Sequence, residues 1–314
     1  MTATERFLKY ILTDTTSDEA NESCPSSPNQ LVLGKQLVEE MLAMGVADAR
    51  VDADGYVYGS VPASCEGMPA IGLIAHMDTS DAVSGGPVHP RTVHYEGGDI
   101  VLNAEKNIVL RAADFPALAR EIGNDLIVTD GTTLLGADDK AGVAEILTLA
   151  ERFLKHPEIR HGKLCIAFTP DEEIGRGAKR FRIPELGADF GYTVDGGTLG
   201  EIEFENFNAA AAHVEFQGRS IHPGSAKDKM LNAATLAMEF HAMLPVRETP
   251  ENTENREGFF MLSDIHGCVD HAASDYIVRD HDKTKFEQKK ARLEKIAAYL
   301  NDKYGEGCVK LTVK

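Results

Sequence analysis

Along the first part of the chain, apolar residues alternate between two patterns, helical spacing and short unbroken runs. Between Gln30 and Met44, the residues Leu31, Leu37, Val38, Met41 and Leu42 share one helical face, and Gly45 stops the run. Residues 70–75 (Ala-Ile-Gly-Leu-Ile-Ala) are continuously apolar, as expected of a central strand covered on both faces. Between Val88 and Val128, short alternating stretches are broken by Gly97-Gly98 and Gly123-Asn124, a hairpin pattern laid over the edge of a core. Helical spacing returns after Lys140 with Val143, Ile146, Leu147, Ala150, Phe153 and Leu154. Residues 163–169 and 190–194 predict two further buried strands. Strands alternating with helices predict an α/β layer sheet.

After Asn206 the texture changes. Residues 209–216 predict a strand, 230–244 a helix, 276–280 a strand, 286–304 a longer helix with Leu293, Ile296, Ala297 and Leu300 facing inward, and 308–313 a closing strand. These make a small open-faced sandwich of their own. The expected boundary lies near Phe207, giving domains 1–206 and 207–314.

Charge narrows the partners. The 314 residues include 32 basic and 50 acidic side chains, a net charge of −18, which disfavours nucleic acid and anionic lipid. The five cysteines are scattered without a Cys-x-x-Cys pair, so neither a disulfide framework nor a cysteine zinc site is signalled. The start of the sequence lacks the apolar core of a signal peptide and no run approaches a membrane span, so a reduced cytoplasm is the expected location.

The candidate chemistry sits at the ends of the apolar runs. His76 and Asp78 follow the strand at 70–75, Asp138 and Asp139 precede the helix after Lys140, Glu172 and Glu173 follow the strand at 163–169, and Asp195 closes the strand at 190–194. Ligands bind at the carboxyl ends of strands in such sheets. Each segment also fits an ordinary structural role: a turn hydrogen bond for His76-x-Asp78, a helix cap for Asp138-Asp139, a turn for Asp195 before two glycines. The Glu172-Glu173 pair is harder to dismiss, because adjacent carboxylates at a buried edge repel unless cations neutralise them. One metal centre accounts for all four segments together, and a two-metal hydrolase is the economical reading.

Four longer motifs carry a family resemblance: His76-Met-Asp-Thr79, Leu135-Gly-Ala-Asp-Asp-Lys-Ala-Gly142, Phe168-Thr-Pro-Asp-Glu-Glu-Ile-Gly175 and Ile221-His-Pro-Gly224. They resemble the dizinc aminopeptidase/carboxypeptidase family of M20 type. Residues 203–208 (Glu-Phe-Glu-Asn-Phe-Asn) and 276–280 (Tyr-Ile-Val-Arg-Asp) are similar to its tripeptide-aminopeptidase branch. The resemblance implies a mixed-sheet catalytic domain with helices on both faces and a smaller α+β lid that also mediates dimerisation. It implies two zinc ions bridged by Asp138, one completed by His76 and Asp195 and the other held by Glu173. Asp78 would support His76, and Glu172 would be the base that activates the attacking water. His222 would reach the tetrahedral oxyanion, often in the partner subunit, and Arg279 would hold the carboxylate of a tripeptide. By residue type alone, His222 is a turn histidine before proline, and Arg279 is a surface partner of Asp280 or Asp282.

In the family the chain continues past the lid and returns with further sheet, a Gly-rich substrate loop and a final His ligand, whereas this sequence ends at Lys314. The expectation is therefore one tightly bound zinc, with Glu173 and Asp138 left as the other metal's ligands, and much reduced tripeptide cleavage. Two alternatives stand beside the aminopeptidase: a weakly active or non-catalytic zinc protein dimerising through its lid, and a related deacylase or carboxypeptidase.

Overall fold

The computed structural model describes residues 1–314 and divides into two units, Met1–Leu199 and Gly200–Lys314. In the first, α1 (Ala3–Tyr10) starts at a capping box. The Thr2 hydroxyl accepts from the Glu5 amide, and the Glu5 carboxylate accepts from the Thr2 amide. Helix α2 (Pro28–Met44) opens on proline and stops at Gly45, whose φ of 106° suits a residue without Cβ. Strands β1 (Arg50–Val51), β2 (Val57–Val61) and β3 (Ile71–His76) follow. Next come β4 (Arg91–His94), β5 (Ile100–Asn103), β6 (Ile108–Leu110) and β7 (Asp125–Val128). The unit finishes with α3 (Ala137–Lys155), β8 (Leu164–Thr169), α4 (Ile183–Leu186) and β9 (Phe190–Thr193).

The main sheet has the order β1-β2-β8-β3-β9 and is mixed: β2 runs antiparallel to β8, while β8, β3 and β9 are parallel. Alternation along its strands sorts the two faces. Val57, Val61, Ala75, Leu164, Ile166 and Phe168 pack with the buried side chains of α1, α2 and α3. Tyr58, Cys165 and Ala167 face the other way, against Leu186 of α4. Helices thus cover both faces. Strand β2 was not among the elements expected from the apolar pattern, because Gly59 and Ser60 interrupt its run. Gly59 is required by packing: a Cβ there would lie 2.3 Å from Met41 Cε and 3.0 Å from Val46 Cγ1. Between residues 88 and 128, β5 and β6 form a hairpin nested inside the β4–β7 pairing.

The second unit is a four-stranded antiparallel sheet in the order β11-β12-β10-β13. Its elements are β10 (Asn208–Gln217), α5 (Ala233–Ala242), β11 (Phe259–Gly267), β12 (His271–Asp280), α6 (Lys283–Tyr304) and β13 (Val309–Val313). Ala210, Ala212, Val214 and Phe216 alternate along β10 and bury one face against Leu236 and Phe240 of α5 and Leu293, Ile296 and Leu300 of α6. The apolar pattern missed β11 because most of this edge strand is exposed and a bulge between Leu262 and Asp264 breaks the alternation. No helix of the structure is long and apolar enough to cross a membrane.

Candidate metal centre

Three parallel strands deliver the candidate ligands to one edge. His76 ends β3 and is paired with Thr169, the last residue of β8. Glu172 and Glu173 follow just beyond, and Asp195 follows β9 on the other side of β3. The start of α3 brings in the last pair. Asp138 and Asp139, joined by a cis peptide, have non-helical backbone angles, so the regular helix begins at Lys140 and both carboxylates stand at its positive end. Close approach there depends on Gly142, where a Cβ would lie 2.1 Å from the Val194 carbonyl oxygen and 2.4 Å from Asp139 Oδ1.

The His76 ring is buried, and its two nitrogens have different surroundings. Nδ1 lies 3.0 Å from the Asp78 backbone oxygen and 3.3 Å from Asp78 Oδ1, so it donates there. That leaves Nε2 facing carboxylates: Asp138 Oδ1 at 2.8 Å, Asp195 Oδ2 at 3.8 Å and Glu172 Oε2 at 4.0 Å. Asp78 is fully buried, and its oxygens accept from the Ser17 hydroxyl at 2.5 Å and from the Glu172 and Glu173 amides at 3.0 Å each. Asp139 accepts from the His76 amide at 3.0 Å and the Gly142 amide at 3.2 Å.

Protonation behaviour reflects the crowding. Burial works to lower the His76 pKa, but the bond to Asp78 and the charges of Asp78, Asp139 and Asp195 push it up to about 10. Burial, reinforced by Asp195 and Asp138, drives Asp139 up to about 8 against the His76 amide and ring. Glu172, Glu173 and Asp195 are all raised, first by burial and then by neighbouring carboxylates. Asp78 alone goes down: burial opposes this, but hydrogen bonds from His76 and Ser17 overcome it. A crowded cluster of hard oxygen donors has the chemistry of a candidate cation site. Two groups have ligand atoms within 4.8 Å of one another, His76–Asp139–Asp195 and His76–Asp138–Glu173.

Every first-unit residue singled out in the sequence, His76, Asp78, Asp138, Glu172, Glu173 and Asp195, therefore meets at this edge. Asp139, named with Asp138 in the sequence but given no ligand role by the family resemblance, is a further candidate ligand here. His222 and Arg279 belong to the second unit. His222 is exposed and caps a short 3-10 turn, its Nδ1 accepting from the Gly224 amide at 3.2 Å. Arg279 lies on β12 with its guanidinium 4.5 Å from the Phe207 ring centre and 6.0 Å from that of Phe259. Its acidic neighbours are engaged elsewhere: Asp280 lies 3.7 Å from Lys289 Nζ, and Asp282 caps α6 through the Lys285 amide. The Arg279 Nε is buried without a hydrogen-bond partner.

Comparison with known proteins gives the family and the fold. Residues 204–308 match the peptidase dimerisation domain. Over 313 residues the chain is 52% identical to Peptidase T of Alkaliphilus oremlandii, an alignment covering 98% of this chain and 76% of that protein. The chain belongs to the peptidase T family. Among solved structures, the aminopeptidase PepT of Bacillus cereus has the same fold, with a TM-score of 0.73 at 23% identity over 99% of this chain and 74% of that one. A Bacillus subtilis protein described as a dinuclear metal binding peptidase of the M20 family shares the fold more distantly, with a TM-score of 0.53 at 11% identity over 99% of this chain and 74% of that one.

Proposed function

We propose that the chain is a metal-dependent aminopeptidase that releases the N-terminal residue of tripeptides. The observation that carries this reading is the position of Glu172. Its half-exposed carboxylate stands 4.0 Å from His76 Nε2, beside both candidate ligand groups yet in neither of them. Its pKa is raised by burial and by its acidic neighbours, as suits a group that must both take and return a proton. The ligands are assigned as His76, Asp138, Glu173 and Asp195, with Asp139 close enough to join them. Zinc is the assigned metal; held by these residues it would polarise the scissile carbonyl and lower the pKa of water. Glu172 takes the proton of the attacking water and delivers it to the departing amine. Asp78 holds the His76 ring by Nδ1 so that Nε2 faces the ligand group.

The second unit is assigned the substrate end of the reaction. Because His222 Nδ1 accepts from the Gly224 amide, the ring proton is on Nε2, which makes that atom a donor for the developing oxyanion. Arg279 has an unpaired buried Nε and aromatic neighbours, the equipment for a peptide carboxylate. The match to a dimerisation domain supports a homodimer formed through residues 207–314. Five unpaired cysteines agree with a reducing cytoplasm.

The test is tripeptide hydrolysis by the purified protein loaded with zinc, beside Glu172→Gln. Loss of a general base costs about 10²–10⁴-fold in kcat, while metal content stays unchanged. Equal turnover by the two proteins refutes the reading.

A further inference from the structure

Glu172 and Glu173 are held from two sides. On one side Asp78 accepts both of their amides. On the other stands Asp171, a fully buried carboxylate that faces away from the ligand group towards the N-terminal end of α2. Its oxygens accept from the Ser26 amide at 2.8 and 3.0 Å, the Ser26 hydroxyl at 2.5 Å and Gln30 Nε2 at 2.8 Å. The amide of Asp171 donates back to Gln30 Oε1 at 3.1 Å. Ser26 and Gln30 are themselves buried, and the Ser26 hydroxyl also accepts from the Asp18 amide. Asp171 has a φ of 57°, a left-handed conformation that a residue other than glycine holds only when its surroundings enforce it. Gly177 backs the same turn, since a Cβ there would lie 3.2 Å from Glu172 Cα and 3.3 Å from its Cβ.

We propose that Asp171, Ser26 and Gln30 form a latch that sets the direction in which Glu172 and Glu173 leave β8. Asp171 is thus a positioning residue for the peptidase reaction, a role that rests on the function assigned above. The physical argument is geometric. Every side-chain polar atom of the latch has at least one partner of the right kind, and the backbone turn it enforces comes one residue before the base. A change in the latch rotates both glutamates together, so it alters metal binding and turnover in step. Outer partners of ligand groups typically carry 10–100-fold in affinity or activity.

The decisive pair is D171N against D171N/Q30E. In the single variant an amide replaces an acceptor that faces only donors. In the double variant that amide donates to the new carboxylate at position 30, which also accepts the residue-171 amide, while the remaining oxygen serves Ser26. The buried charge is conserved. Two readouts apply: Co²⁺ titration, followed by the visible absorption of the bound ion, and the kcat and KM for a tripeptide in the zinc-loaded protein. The expected result for D171N is Co²⁺ affinity weakened about tenfold with an altered absorption band. Its kcat falls about 10–100-fold with KM within twofold, and the second substitution restores both. S26A, which removes only the hydroxyl, shifts both readouts in the same direction by less and serves if D171N does not fold. Co²⁺ affinity and spectrum within twofold of the parent chain in D171N overturn the latch, as do failure of Q30E to restore them and absence of Co²⁺ binding by the parent chain. E172Q separates this from the functional reading. If parent and E172Q hydrolyse tripeptides equally, or neither does, the peptidase assignment fails while the cobalt result still decides the latch.

Discussion

Replacing Asp78 with Asn probes the support of the candidate metal centre with little change of shape. The native carboxylate is 0% exposed and faces only donors: Ser17 Oγ and the Glu173 amide at Oδ2, the Glu172 amide and His76 Nδ1 at Oδ1. An amide has one acceptor oxygen. Whichever way it turns, its NH₂ meets a backbone N–H of Glu172 or Glu173, which is left without a partner. Hydrogen bonds to a charged group are worth about 1.5–3 kcal/mol, and a buried orphan donor costs about 1–3 kcal/mol. These overlap, so D78N is expected to lose about 2–3 kcal/mol where the two glutamates are held. Metal affinity provides an independent scale, since outer-shell losses of about 10–100-fold correspond to about 1.4–2.8 kcal/mol. The two routes agree. The assay is Zn²⁺ titration against a competing chelator, with urea unfolding of the metal-free protein alongside. Zinc affinity within twofold of the parent chain, with unfolding unchanged to about 0.5 kcal/mol, would falsify the view that Asp78 organises this edge.

Other substitutions test the scaffold. Gly142→Ala forces a methyl group against the Val194 carbonyl and Asp139, so it should destabilise by about 1–3 kcal/mol and weaken zinc binding, read by urea unfolding and metal titration. Arg6 is fully buried and bonded to Glu40 at 2.8 Å and Glu151 at 2.7 Å. Arg6→Met removes the buried cation they share, leaving Glu40 to Lys9 and Glu151 to Lys155 and the N-terminal ammonium. The lost hydrogen bonds to charged groups should cost about 1.5–3 kcal/mol in urea unfolding, and a loss below about 0.5 kcal/mol would show the pairs to be dispensable. Glu151 is held at a pKa of about 2 by Lys155, Arg6 and the N-terminal ammonium, against an ordinary 4.5. Its folded value is depressed, so its contribution is complete above pH 4.5 and lost as pH falls towards 2. Urea midpoints measured across that window should fall less steeply in Glu151→Gln than in the parent chain.

Much of the fold was legible because burial leaves periodic traces. The unbroken runs at 70–75 and 163–169 correspond to β3 and β8, strands with neighbours on both sides. What escaped was structure whose reason lies in another element. Gly59 weakens β2 as a sequence pattern yet lets Met41 of α2 lie against it. Strand β11 buries too little to alternate. Helix α1 hides its inward face behind Arg6, a charged residue that turns inward because Glu40 and Glu151 wait for it.

The candidate site divides along the same line. His76, Asp138, Glu172, Glu173 and Asp195 were readable because carboxylates and an imidazole at the ends of apolar runs are seldom buried without a partner, and the parallel sheet brings those ends together. Asp139 was half readable: its type fits a helix cap, and only the kink before Lys140 turns it back towards His76. Ser17, Ser26 and Gln30 were not readable at all. Serine and glutamine occur everywhere, and nothing in their spacing separates these three from surface residues. They acquire meaning only from their partners, buried carboxylates that accept from every side. A carboxylate such as Asp78 or Asp171 can be this deeply buried only if donors surround it. Finding the acid therefore predicts that donors exist, while the fold alone chooses which residues supply them.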